Sequence, residues 1–230
     1  MAQYTAWNRE YEHSTFLTKD QKPQSDVLRA LKYLKKTGVP TFDLTVLDLG
    51  SGAGRNSNYL ASKGNIVTGI EISDVAVAIA RDYATKEHLG VTFIEGDIGA
   101  SYQFPDNHFD LLLDITSSNS LNENERAIYL SESFRVLKPG GYFIVKALCK
   151  EGDENAKKLI AQHPGGEKDT YLIQELGLIE RVFSKEDFEA TYKQFFTILE
   201  LKKKTSYTRM NNRVYKRNFW IAYLQKQAQP

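Results

Sequence analysis

The sequence predicts a three-layer α/β fold, a doubly wound and mostly parallel sheet that closes with a C-terminal antiparallel hairpin. Three observations predict it. Val46 to Gly54, VLDLGSGAG, reads as a buried strand that breaks into a glycine turn and then a helix. Strand and helix patterns alternate from there to about Leu148, as a covered parallel sheet requires. The C-terminal part instead carries two period-2 runs, Thr197 to Tyr207 and Tyr215 to Gln225, joined by Thr208 to Val214 as in a hairpin.

Taken in order, a polar leader dotted with aromatics precedes Ser25, which can cap a helix with Val27, Leu31 and Leu34 on one face, ended by Gly38 and Pro40. Val46 to Leu49 is the first strand, Ile66 to Ile70 the second and Val91 to Ile94 the third. Ser73 or Asp74 caps a helix with Ala76, Ile79, Ala80 and Tyr83 at helical spacing. Phe109 to Asp114 is a fourth strand, and Asn122 opens a helix whose sheet-covering face reads as Ala127, Leu130, Phe134 and Leu137. Pro139-Gly140-Gly141 turns into a fifth strand, Tyr142 to Leu148. From Cys149 to Leu178 the alternation is interrupted by a helical stretch and the turn His163-Pro164-Gly165-Gly166, an insertion expected at the ligand-binding edge of the sheet. Ser184 begins a capping sequence for a last helix through Gln194.

Length and composition bound the function. One domain over 1–230 suits 230 residues, with 1–24 as leader, 25–148 as core and 149–230 as insertion, last helix and hairpin. Thirty basic against 29 acidic residues give no global field for nucleic acid or membrane. The lone Cys149 excludes an internal disulfide framework, and MAQYTAWNREYEH lacks the apolar core of a signal peptide or span, so a reducing cytoplasm is the expected address and no membrane partner is expected. His13, His88, His108 and His163 are scattered, and no metal site is predicted.

The glycine turn narrows the ligand. Gly50-Ser51-Gly52-Ala53-Gly54 is followed by Arg55 where a dinucleotide fingerprint wants a third small residue, and no lysine follows as a Walker loop requires. Asp48, a carboxylate near the end of a core strand, needs partners, which backbone amides and a cationic ligand would supply. Glu71 at the second strand tip can take both ribose hydroxyls, and Asp97 after the third can accept from an adenine amino group. The set fits an adenosine without phosphates.

Here the chain resembles the class I S-adenosylmethionine-dependent methyltransferases, through DLGSGAG at Asp48 to Gly54, GIEIS at Gly69 to Ser73, EGDI at Glu95 to Ile98, FDLLLD at Phe109 to Asp114 and LKPGG at Leu137 to Gly141. The resemblance implies a seven-stranded sheet and S-adenosyl-L-methionine as cofactor. Gly50, Ser51, Gly52 and Gly54 would then approach the methionyl part, with Asp48 supporting the loop. Glu71 would hold the ribose, Asp97 with Ile98 would frame the adenine, and Ile72 would also belong to the cofactor site. Arg55-Asn56 is similar to a pair in the tellurite-resistance and thiopurine type, where carboxylate anchoring is implied.

The implied activity is in-line methyl transfer, without a metal, to an O, N or S atom of a small or medium-sized acceptor. Asp114, at the end of the fourth strand where the family's substrate side begins, is the candidate catalytic residue: it can bind the methionyl ammonium, orient the acceptor or take its proton. Ser117 and Asn119 belong to the polar rim that follows, and Trp7, Tyr11 and Phe16 of the leader are candidates for a lid. The absence of [DN]-P-P-[YF] argues against adenine or glutamine amide methylation.

Two alternatives stand beside this reading. Lys202, Lys203, Lys204, Arg209, Arg213, Lys216 and Arg217, interleaved with Tyr207 and Tyr215, form a nucleic-acid pattern. Asp114 with Lys146 resembles the middle of the Lys-Asp-Lys-Glu set of ribose 2′-O-methyltransferases, but the terminal Glu has no equivalent. The other alternative is a cofactor-binding regulator without turnover.

Overall fold

The computed structural model describes residues 2–13, 17–18, 20–210 and 213–227. Strands β1 (Thr45–Leu49), β2 (Ile66–Glu71), β3 (Val91–Glu95), β4 (Phe109–Ile115), β5 (Leu137–Leu148), β8 (Thr197–Met210) and β9 (Arg213–Gln225) form one seven-stranded sheet in the order β3-β2-β1-β4-β5-β9-β8. The first five run parallel, and β9 and β8 close the edge antiparallel. The order reverses between β1 and β4, and a crevice outside the carboxyl ends of the strands is expected at such a switch point.

Alternate residues of the central strands feed two cores. On one face α2 (Ser25–Lys36) packs Val27, Ala30 and Leu34 with Val46, Leu111 and Ile144. On the other, α5 (Glu123–Val136) and α7 (Lys185–Tyr192) pack Tyr129, Leu130, Phe188 and Tyr192 with Leu47, Leu112, Phe143 and Trp220. Helix α4 (Asp74–Lys86) covers Phe93 of β3 through Val77, Ala80 and Ala84. Further α-helices are α1 (Ala2–His13), α3 (Arg55–Ala61) and α6 (Glu154–Gln162).

Helix starts follow side-chain chemistry. Ser73 accepts from Ala76 N, Asn122 and Glu125 form a reciprocal capping box, and Ser184 accepts from Asp187 N. Ser25 is the exception, being the first helical residue of α2 behind Gln24, which makes no side-chain cap; its hydroxyl accepts from Arg29. The α5 face is also one residue out of step with its periodicity: Arg126, Tyr129, Leu130, Ser133 and Val136 are buried, whereas Ala127 and Phe134 are exposed. A buried arginine and serine carry part of the stripe, so an apolar count misplaces it.

β5 begins at Leu137 rather than Tyr142. The register jumps from Phe109↔Leu137 to Leu111↔Tyr142, so Pro139-Gly140-Gly141 bulges out of a strand already begun. The insertion contains, besides α6, a two-stranded antiparallel hairpin of β6 (Thr170–Ile173) and β7 (Leu178–Arg181), which periodicity over four-residue strands does not reveal. The C-terminal strands run to Met210 and from Arg213, further than the periodic runs, and reach past Leu148, the last β5 residue paired with β9.

The basic run is broken up by this geometry. Lys204 Nζ lies 2.7 Å from Asp26 Oδ1, Lys202 pairs with Glu200 at 2.8 Å, and buried Arg217 pairs with Asp153 at 2.9 Å. Lys203 stays exposed, on the opposite face of the strand from Lys202 and Lys204, while the side chains of Arg209 and Arg213 lie outside the described residues. Among the described residues no helix is long and apolar enough to cross a membrane, and no group of three or more His, Cys, Asp or Glu could hold a metal ion.

Candidate functional site

The crevice at the switch point holds a cavity of ≈ 170 Å³. Its floor is the glycine loop between β1 and α3, where Gly50 N and Ser51 N both donate to Ile70 O of β2. The β2 tip then grips the loop: Glu71 Oε2 accepts from Gly52 N at 2.9 Å, and Glu71 Oε1 accepts from Ser73 N at 2.9 Å. Gly52 has φ 54°, and a Cβ there would lie 2.5 Å from Tyr11 Oη, so the loop and the N-terminal helix meet only because this residue is glycine. Gly96, Asp97 and Ile98 close the side beyond β3, and Asp97 Oδ1 accepts from Gly99 N at 2.7 Å.

The opposite wall is the turn after β4. Thr116, a β-branched residue held at φ 73°, lies in it, with its N–H donated to Lys146 O. Ser117 Oγ donates to Gly50 O, tying this wall to the glycine loop. Helix α1 forms a further side through Gln3, Trp7 and Tyr11, and Gln3 Nε2 donates to Ser120 O at 2.6 Å.

Three buried carboxylates surround the loop: Asp48, Glu71 and Asp114. Burial raises the pKa of each; donation from Ser57 to Asp48, from Ser73 and Gly52 to Glu71, and from Ser118 and Tyr129 to Asp114 partly offsets it. Arg55 is the cation beside them, its pKa lowered by burial and partly restored by Asp20 and Tyr11. Asp48 is pushed up to about 6. Its folded pKa exceeds the unfolded value near 3.9, so its contribution to stability is complete below about pH 4 and is lost as pH rises through about 6. Asp48→Asn should therefore be more stable than the parent at pH 7.5 by roughly 3 kcal/mol, with the difference vanishing near pH 4. Urea unfolding of both proteins across that range measures it, and a difference independent of pH would refute it.

Of the residues singled out from the sequence, Gly50, Ser51, Gly52, Arg55, Asn56, Glu71, Ile72, Asp97, Ile98, Ser117, Trp7 and Tyr11 line the cavity. Four others do not. Asp48 is 2% exposed and its described partner is the Ser57 hydroxyl at 2.6 Å, in place of the amides and ligand expected for it. At Gly54 a Cβ would meet Phe93 and Ala80 at 2.7 and 2.9 Å, so this glycine serves helix packing. Asn119 donates to Thr116 O and accepts from Leu148 N, pinning the turn.

Asp114 needs the largest correction. It is 0% exposed, one oxygen accepts from Tyr129 Oη at 2.6 Å, and the other accepts from Ser117 N and Ser118 N. It shapes the turn from behind the wall and is not among the residues that line the cavity. Lys146, its partner in the ribose-methylating pattern, points to the covered face and pairs with Asp26 at 3.0 Å. The lid candidate Phe16 lies outside the described residues. Gln3, Leu17, Gln24 and Leu121, absent from the sequence reading, also line the cavity. No local motif marks them, because long-range docking brings them there.

The match to known proteins is centred on these elements. Residues 47–145 match the family model of the methyltransferase domain. These residues carry a methyltransferase domain. A 2-heptyl-1-hydroxyquinolin-4(1H)-one methyltransferase of Mycobacteroides abscessus is 30% identical over 130 residues, 56% of this chain and 54% of that protein. A fatty-acid O-methyltransferase of Mycolicibacterium smegmatis is 33% identical over 103 residues, 43% of this chain and 35% of that protein. The matched parts thus cover about half or less of these relatives. A crystal structure of an S-adenosylmethionine-dependent methyltransferase from Methanosarcina mazei superposes with a TM-score of 0.73 at 24% identity, covering 85% of this chain and 98% of that one. S-adenosylmethionine is the cofactor of the family.

Proposed function

We propose that the chain transfers a methyl group from S-adenosylmethionine to an O, N or S atom of a small or medium-sized, largely apolar acceptor, in a reducing cytoplasm. The observation that carries the reading is the glycine loop gripped by Glu71 and surrounded by buried carboxylates. Such a floor repels a pyrophosphate and favours a ligand bearing an ammonium and a sulfonium. The fit is supported by the chemistry of the lining, where Glu71 and Asp97 are acceptors for hydroxyl and amino groups and Arg55 is a cation for a carboxylate. Glu71 and Ile72 would hold the ribose, Asp97 and Ile98 the adenine, Gly50 to Gly52 the methionyl backbone, and Arg55 its carboxylate. Bound there, the cofactor supplies a methyl group on an excellent leaving group, so the protein has mainly to align the acceptor and exclude water.

Trp7, Leu17, Ile115 and Leu121 give the acceptor side an apolar lining, which supports acceptors of the kind named for the two relatives. Calorimetry should show binding of S-adenosylmethionine and S-adenosylhomocysteine and none of NADH, with a matching rise in melting temperature. Incubation with methyl-labelled cofactor and a panel of alkylhydroxyquinolones and fatty acids, read by mass spectrometry, should give labelled product. Binding of NADH with no response to either sulfur ligand would overturn the assignment.

A further inference from the structure

We propose, resting on the methyl-transfer reading above, that the acceptor enters this site already as an anion, the conjugate base of a weak acid such as a carboxylic acid, an N-hydroxy compound or an acidic phenol, and that no side chain takes its proton. The cavity wall carries four ionisable side chains among the described residues: Tyr11, Arg55, Glu71 and Asp97. Glu71 accepts from Gly52 N and Ser73 N and is assigned to the ribose, and Asp97 accepts from Gly99 N at the far, β3 side. Arg55 is a cation. Burial and the nearby Glu71 raise the Tyr11 phenol well above its ordinary value, so it remains a donor.

The groups just outside the wall are engaged elsewhere. Asp114 is sealed behind the turn by Tyr129 and two backbone amides. Glu125 Oε2 accepts from Asn122 N and from Gln3 at the start of α5, and the Cys149 thiol is buried and raised to about 12 by desolvation and Glu151. None of the four histidines lines the cavity, and Glu10 of α1 does not line it either. Asp20 and Asp48 act on Arg55 electrostatically, and among the described residues neither lines the cavity.

Proton balance then selects the acceptor. For an anion, an oxygen lone pair forms the O–C bond, the C–S bond breaks with its pair left on sulfur, and the two opposite charges disappear together. There is no proton to place. A neutral alcohol would leave a proton on the ether oxygen inside an apolar wall, with nothing to receive it.

The test uses the full chain with S-adenosylmethionine and acceptors of graded acidity: octanoic acid, 4-nitrophenol, 4-cyanophenol, 4-chlorophenol, 4-methylphenol and octan-1-ol. The readout is kcat/KM against pH, with S-adenosylhomocysteine binding measured in parallel. The rising limb should move with each phenol's own acidity, and at pH 7 4-nitrophenol should exceed 4-methylphenol by about 100-fold. Octanoate should be methylated with no rising limb near neutrality, and octan-1-ol should give no product. Methylation of octan-1-ol, or one pH break shared by every phenol, overturns the proposal, as does S-adenosylhomocysteine binding with none of the acids methylated. Loss of S-adenosylhomocysteine binding itself overturns the underlying methyl-transfer reading.

Discussion

Glu71→Ala should weaken S-adenosylhomocysteine binding by about 2–4 kcal/mol, roughly 30- to 1,000-fold. Two losses add. The ribose contact proposed for this carboxylate disappears, and so does the grip on the glycine loop, because Gly52 N and Ser73 N each lose an acceptor at 2.9 Å. Both N–H groups lie next to a side chain that is 6% exposed, so an alanine gives them little water in exchange. Melting temperature should fall as well. Glu71→Gln keeps the volume and one acceptor oxygen but sets an amide NH₂ against the other N–H, so its affinity should lie between parent and alanine. Calorimetric titration of the three proteins measures this; equal affinities would place the ribose somewhere other than the β2 tip.

Asp26→Ala should destabilise the fold by about 3–5 kcal/mol. Asp26 is 3% exposed and faces three cations, Lys146 at 3.0 Å, Lys204 at 2.7 Å and Arg29 at 2.6 Å. Lys146 is 9% exposed, and without Asp26 it becomes a buried charge with no counter-ion. Asp26→Ala with Lys146→Met should recover most of the loss, since an apolar pair replaces the stranded lysine. Burial pushes the Asp26 carboxyl upward, but Lys146, Arg29 and Lys204 outweigh it and hold the group well below the usual carboxylate range. A depressed folded pKa gives stability that is present above the unfolded value near 3.9 and lost as pH falls through the folded one. The gap between parent and Asp26→Asn should therefore be constant from pH 5 to 8 and shrink below about pH 4. Urea unfolding decides both points, and a single variant as stable as the parent would show that Lys146 finds water.

Legibility in the sequence depended on range. Ser73, Asn122 and Ser184 could be read as helix starts because a cap needs only the next three residues. The β1 and β2 tips could be read because an apolar run ending in glycine or a carboxylate is a local pattern. The α5 face was misread because Arg126 is buried over the Phe183 ring while its guanidinium donates to Ser118 O and Leu121 O, and those partners belong to other segments. Asp114 looked like a reactive carboxylate because its place at a strand end was legible, while Tyr129, fifteen residues on, was not.

What the sequence by itself determined was the succession of the first five strands, the C-terminal hairpin, the glycine loop and the acidic tips that line the cavity, since each rests on periodicity or backbone freedom within a few residues. What only the tertiary structure decided was which charges are spoken for. A carboxylate or a lysine has the same local signature whether it faces a ligand or a partner from 178 residues away, as Lys204 does with Asp26. The physical reason is that burial and pairing, which set the cost and protonation of a charge, are properties of the packed chain and not of any segment.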